Sequence, residues 1–280
     1  MSSPQLPDLD AQPTEVAEGH LLGVPVRYAS NSPAIAAAAA ALLAPGRALP
    51  ARLQERGEPV RITVLVAPAS PGEPEPAGPL AVRAYGDTFV GAGAGVLFTA
   101  HTAAGEALAF VAPELACDGP ALRREVLERL GLLLVSGRDR APLRATAVAR
   151  GGHAVLLVGG AGVDKAALGA ACAAAGLAPL AEERVYVSLA HGLRVWGWPE
   201  SSAPVERALA CVVERAAGQA SRVEGLARDE AAARLAEAVE PGPGRPAVAA
   251  ALAAGGAYRL TVGSEPASAA ALLAHLLERP

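Results

Sequence analysis

Lysine is almost missing from this chain. Of 24 basic residues one is a lysine, Lys165, and the rest are arginine, so nearly every cationic contact must be made by a planar guanidinium. Charge of either sign is sparse, at 19% of residues with a formal net charge of -4. Without a basic surplus, neither nucleic acid nor an anionic membrane surface is an expected partner, which leaves small ligands and a protein partner. Cysteine is scarce too. Cys117, Cys172 and Cys211 lie far apart among Ala, Leu and Val, a pattern that fits reduced, buried thiols better than a disulfide framework or zinc site and predicts a cytoplasmic protein. Long apolar runs are absent, because Gly, Pro and Arg break the alanine tracts before about 18 residues accumulate. Residues 1–18 carry Pro, Asp and Gln where a signal peptide would have a basic start and an apolar middle, and they read as a tail.

Hydrophobic residues are plentiful. They make up 52% of the 280 residues, enough to fill the core of one large domain or two ordinary ones. Residues 21–28 read as an extended segment, 33–43 as an alanine-rich helix stopped by Pro45 and Gly46, and 60–67 as a strand between prolines. The Pro-, Gly- and Glu-rich stretch 69–79 reads as an exposed loop. Short apolar runs at 80–85, 95–101 and 107–112, separated by turns at Gly86-Asp87 and Ala104-Gly105, predict an antiparallel sheet. The glycines of 91–95 have no helix after them, so they predict a hairpin or bulge and not a nucleotide loop. A helix over 120–134 follows, with Asp118 as N-cap.

The polar joint 136–139 divides the chain into a tail (1–19), an α+β N-terminal domain (20–136) and a second, mixed α/β domain (140–280). There, strands are expected at 145–149, 153–158, 184–189, 193–198 and 258–262. Helices are expected at 165–175, 205–217, 226–239 and 266–277, with a Pro- and Gly-rich break at 241–246. Trp196 and Trp198 share one sheet face and read as core. His153, inside an apolar strand, reads as structural, and His20, His101, His191 and His275 show no ligand spacing.

The chemistry concentrates at 155–168. A buried strand ends in Gly159, Gly160, Ala161, Gly162 and Val163, followed by Asp164, Lys165 and Ala166 at a helix start. In that order a loop can aim backbone N–H groups at phosphate oxygens while the lysine neutralises the outer phosphates. Against the pattern G, four residues, G, K, then Ser or Thr, Gly159 and Lys165 fit while Asp164 and Ala166 depart. Ala166 has no hydroxyl for Mg²⁺. Asp164 brings a carboxylate toward the phosphates, and like charges about 4 Å apart cost roughly 1 kcal/mol in water and about 4 at an effective dielectric near 20. Turning to solvent or to Arg144 would lower that cost. The placement of the single lysine at the one position that requires it is the strongest signal in the sequence.

Together with Arg144-Ala-Thr-Ala-Val, Gly152-His-Ala-Val-Leu-Leu-Val-Gly159 and Ala174-Ala-Gly-Leu-Ala-Pro-Leu-Ala-Glu-Glu-Arg-Val185, this loop resembles the C-terminal core of the HPr serine kinase/phosphorylase family. Gly197-Trp198-Pro199 and Tyr258-Arg-Leu-Thr-Val-Gly extend the likeness. The resemblance implies an α/β fold with an HPr-kinase-like P-loop core, a mixed sheet and flanking helices, preceded by a smaller domain. It also implies ATP as ligand, Mg²⁺ only if the site is active, and a homo-oligomer. Carried over position by position, Arg144 stands where the family has histidine and cannot shuttle a proton near neutral pH. Glu182 and Glu183 replace paired aspartates and set each carboxylate about one methylene further out. A displacement on the order of 1 Å can cost about 10²-fold in rate.

Three readings follow. The first is a degenerate, pseudokinase-like protein with a regulatory or assembly role and weak or absent nucleotide binding. The second is an active ATP-dependent phosphotransferase using Glu182 and Glu183 for metal and base. The third is a structural interaction module in which Lys165 only caps or pairs.

Overall fold

A computed structural model describes residues 12–44, 49–67, 78–159, 164–198, 203–216, 218–240 and 244–278. The chain divides into two units, 1–138 and 139–280, and mixes helices with sheets in both.

In the first unit, β1 (Glu15–Leu21) and β2 (Val24–Ser30) form a hairpin and α1 (Pro33–Leu43) follows. A 3-10 turn at Ala51–Leu53 leads to β3 (Val60–Val66), then β4 (Ala81–Tyr85), β5 (Thr88–Gly93), β6 (Val96–His101) and β7 (Glu106–Val111). The seven strands lie in the order β1-β2-β3-β7-β6-β5-β4, with β2, β3 and β7 parallel to one another and the remaining pairs antiparallel. Strand β1 begins inside the segment that composition assigned to a tail, because residues 15–21 pair over their whole length with β2. The glycine run is the predicted hairpin: Ala94 and Gly95 take positive φ between β5 and β6. Alternation along β6 buries Val96, Phe98 and Ala100 and exposes Leu97, Thr99 and His101.

Next come α2 (Pro113–Cys117), α3 (Gly119–Leu122), a π-helical stretch Arg123–Glu128 and α4 (Arg129–Ser136). Asp118 caps α3 by accepting the Ala121 N–H at 3.0 Å, as its position predicts. Leu122, Val126, Leu127, Leu130 and Leu134 are buried, the spacing of one helix face. Tyr28 inserts below this layer and donates its hydroxyl to the Leu127 carbonyl at 2.7 Å. Of the three thiols, Cys172 and Cys211 are buried, whereas Cys117 is exposed at the end of α2. That corrects the expectation of three buried thiols: α2 is one turn long and turns Ala116 inward in its place.

The second unit begins with β8 (Ala141–Arg144), β9 (Thr146–Arg150) and β10 (His153–Val158), followed by α5 (Lys165–Ala174), β11 (Ala178–Ala181), β12 (Arg184–Ser188) and β13 (Arg194–Gly197). It continues through β14 (Arg207–Arg215), β15 (Arg222–Gly225), α6 (Arg228–Ala238), α7 (Arg245–Ala254), β16 (Ala257–Val262) and α8 (Pro266–Glu278). A six-stranded sheet runs β11-β9-β10-β14-β16-β15, and a three-stranded sheet runs β13-β12-β8. In the larger sheet β10, β14 and β16 are parallel and form the centre. One face packs on α6, α7 and the smaller sheet, and the other on α5 and α8.

Residues 205–217, expected to be a helix, contain β14. The run Ala208 to Val213 is buried on both sides of the strand, apart from half-buried Leu209. A short apolar run of this kind suits a buried central strand as well as a helix, so periodicity does not separate them. Helix α7 overlaps the end of the expected break at 241–246, because Pro246 sits in its first turn, where proline is tolerated. Trp196 is buried, donates its indole N–H to Ser188 Oγ at 3.3 Å and carries the Arg140 guanidinium 4.8 Å above its ring, so it is core as predicted. His153 lies beside Arg207 at the start of its strand.

Candidate functional site

Strand β10 delivers Gly159 to the edge of the central parallel pair. A Cβ at this position would sit 2.9 Å from the Val213 carbonyl oxygen of β14, so glycine is what allows the two backbones to approach here. Gly160, Ala161, Gly162 and Val163, named above as phosphate-wrapping residues, lie outside the described residues. Asp164 is the N-cap of α5: its carboxylate accepts the Ala167 N–H at 2.9 Å. Lys165 opens the helix, and its ammonium donates to the Gly159 carbonyl at 3.1 Å. Ala166 is exposed.

These contacts have opposite energetic signs. An Asp N-cap contributes about 1 kcal/mol to a helix. A lysine in the first turn faces the positive end of the helix dipole, which costs roughly 0.3 to 1 kcal/mol where it is exposed. The bond to Gly159 uses one of the three ammonium donors and leaves two.

A cleft of about 630 Å³ opens beside this turn, lined by Arg144, Val158, Gly159, Lys165, Val212, Val213, Glu214, Arg234, Glu237 and Ala238. Its position follows from the topology, since it lies off the carboxyl ends of parallel strands, where open α/β sheets place ligands. Among the described residues three cationic side chains and two carboxylates share it. Glu214 is 3.6 Å from Arg259 Nε, and the same guanidinium reaches Glu230 on α6.

The other expected site residues fall differently. Arg144 lines the cleft, but Glu182 and Glu183 are exposed on the turn between β11 and β12 and are not among the described residues that line it. Their backbone carbonyls are occupied by Thr146 Oγ1 at 2.5 Å and by the Ala145 N–H at 3.1 Å. Arg184 pairs with Glu240 at 2.8 Å. Burial works against its charge, but the Glu240 carboxylate and Tyr186 outweigh it and raise Arg184 above the ordinary arginine range.

No protein-family model matches the chain, and no curated protein matches it. The site therefore stands on its own geometry. Among the described residues no group of three or more His, Cys, Asp or Glu side chains is placed to hold a metal ion. Glu214, Arg234 and Glu237 were not singled out in the sequence. Glu214 was hidden by reading its strand as a helix, and Arg234 and Glu237 stand in an ordinary charged helix with no local motif. The signal that could have exposed Glu214 is the run of two β-branched valines before it, which favours a strand.

Proposed function

We propose that the second unit is a degenerate HPr-kinase-like P-loop core, pseudokinase in character, that serves regulation or assembly and binds nucleotide weakly or not at all. The observation that carries this reading is the Asp164 bond to the Ala167 N–H at 2.9 Å. A helix N-terminal amide of the kind that would face a phosphate is already used by the protein's own carboxylate. Lys165 supports it from the other side, because a residue at odds with the helix dipole keeps its ammonium at the mouth of a nucleotide-sized cleft. Cationic residues of the cleft suit phosphate charge, while Ala166 offers no hydroxyl for Mg²⁺.

The active-phosphotransferase reading needs Glu182 and Glu183 at the phosphates, and it gains no support from their exposed turn. A role in assembly draws on the first unit. Val16, Tyr85, Val90 and Leu97 project from the sheet face opposite the helices, with Tyr85 62% and Leu97 52% exposed. Calorimetric titration with ATP, with and without Mg²⁺, and a transfer assay with labelled ATP test the proposal. Weak or no binding and no transfer are expected. Transfer to any peptide or small molecule that is abolished by Lys165→Ala would overturn it.

A further inference from the structure

We infer that the cleft recognises a chain of phosphates without a metal ion, with Arg144 and Arg234 supplying the charge that Mg²⁺ supplies in ordinary phosphoryl-transfer sites. The inference rests on the proposed P-loop-like core and names the ligand chemistry of its site.

Its starting point is a pair of exposed guanidinium groups. Arg144 and Arg234 both line the cleft, and neither side chain has a hydrogen-bond or ion-pair partner among the described residues. Arg144 also meets a like charge. Its register partner across β8 and β12 is Arg184, and like charges directly opposite on a sheet destabilise it. Arg184 relieves its own share by turning to Glu240, and Arg144 is left on the cleft without a carboxylate. Arg234 projects from α6 one turn before Glu237. Neighbouring Glu230 is spent on Arg259 and is not available to it.

The carboxylates of the cleft are weaker candidates for a metal than the arginines are for an anion. Glu214 stands beside Arg259, which leaves Glu237 as the one carboxylate without a cation among the described lining residues. The hydroxyl that would complete a magnesium shell is replaced by Ala166. Helix α5 does not supply its Ala167 N–H, because Asp164 holds it. Asp164 thus takes one first-turn amide, and the cationic side chains of the cleft add charge that backbone amides do not carry. Two forked guanidiniums and the two free donors of Lys165 can meet adjacent phosphates, and arginine matches phosphate oxygens in bidentate fashion. The described lining contains no aromatic ring on which a base could stack, so the phosphates, and not the nucleoside, are the recognised part.

Calorimetry on the full chain tests this with ATP and with inorganic tripolyphosphate, each in EDTA and each in excess Mg²⁺. Both ligands are expected to bind in EDTA with affinities within about threefold of one another, and Mg²⁺ should leave those affinities unchanged or weaken them. Arg144→Ala and Arg234→Ala should each weaken binding about tenfold, with Arg234→Lys restoring part of the loss. Unfolding midpoints of the variants should not fall below the parent's, which separates lost recognition from lost fold. Binding that Mg²⁺ strengthens, binding indifferent to both arginines, or no binding in EDTA at about 10 mM ligand would each overturn the inference. The proposed function fails on a different readout, the appearance of phosphoryl transfer.

Discussion

At the scale of single residues, Asp164 and Lys165 make opposite predictions although they are neighbours. Asp164→Ala removes a cap and should lower stability by about 1 kcal/mol, read as a lower urea midpoint. Lys165→Ala exchanges one bond to Gly159 for relief from the helix dipole and should change stability by less than about 0.5 kcal/mol. A loss for Lys165→Ala as large as for Asp164→Ala would make the lysine structural. Gly131 shows a different constraint. A Cβ there would lie 2.5 Å from Tyr28 Oη and 2.8 Å from Leu21 Cδ2, so Gly131→Ala should displace the Tyr28 hydroxyl from the Leu127 carbonyl and cost about 2 kcal/mol. In a Tyr28→Phe background the same change should cost measurably less, since the closest clash is gone.

The thiols add a pH dependence. Burial pushes the Cys172 thiol up to about 11 and the Cys211 thiol up to about 12, where the nearby Cys172 adds to it. Both folded values are raised, so the neutral thiols contribute stability fully below the ordinary thiol value of about 8.5 and lose it as pH rises through 11 to 12. Urea midpoints should fall over that window. At pH 8, a thiol reagent should label Cys117 in the native chain and all three cysteines after unfolding.

At the scale of elements, legibility followed periodicity and punctuation. The hairpin between β5 and β6 was readable because Gly93, Ala94 and Gly95 interrupt two short β-like runs and take positive φ. Helix α5 was readable from Asp164 at its start and Gly176 just past its end. Strand β14 was not, because a central parallel strand covered on both faces carries no alternation, and its alanines suit a helix equally. That error concealed Glu214 and with it one wall of the cleft. The placement is testable: Ala210→Pro should abolish folding of the second unit, since Ala210 lies in a strand paired on both edges and buried on both faces. The cleft's other missed residues, Arg234 and Glu237, meet Lys165 only through the tertiary packing of α6. No local pattern announces such a meeting.

At the scale of the whole molecule, each unit has its own sheets and buried residues, and the division falls between Arg138 and Asp139. In the second unit Asp139 anchors its own side of the joint. Its carboxylate accepts the Leu189 and Ala190 N–H groups at 3.0 and 2.8 Å, and it adopts φ 55° to do so. We propose that this unit combines Lys165 and a cationic cleft with a loss of the equipment for transfer. The most direct measurement is a transfer and hydrolysis assay with γ-labelled ATP and Mg²⁺ on the purified full chain, run beside Lys165→Ala. No turnover above background is expected in either protein, and turnover in the parent that disappears in Lys165→Ala would contradict the pseudokinase reading.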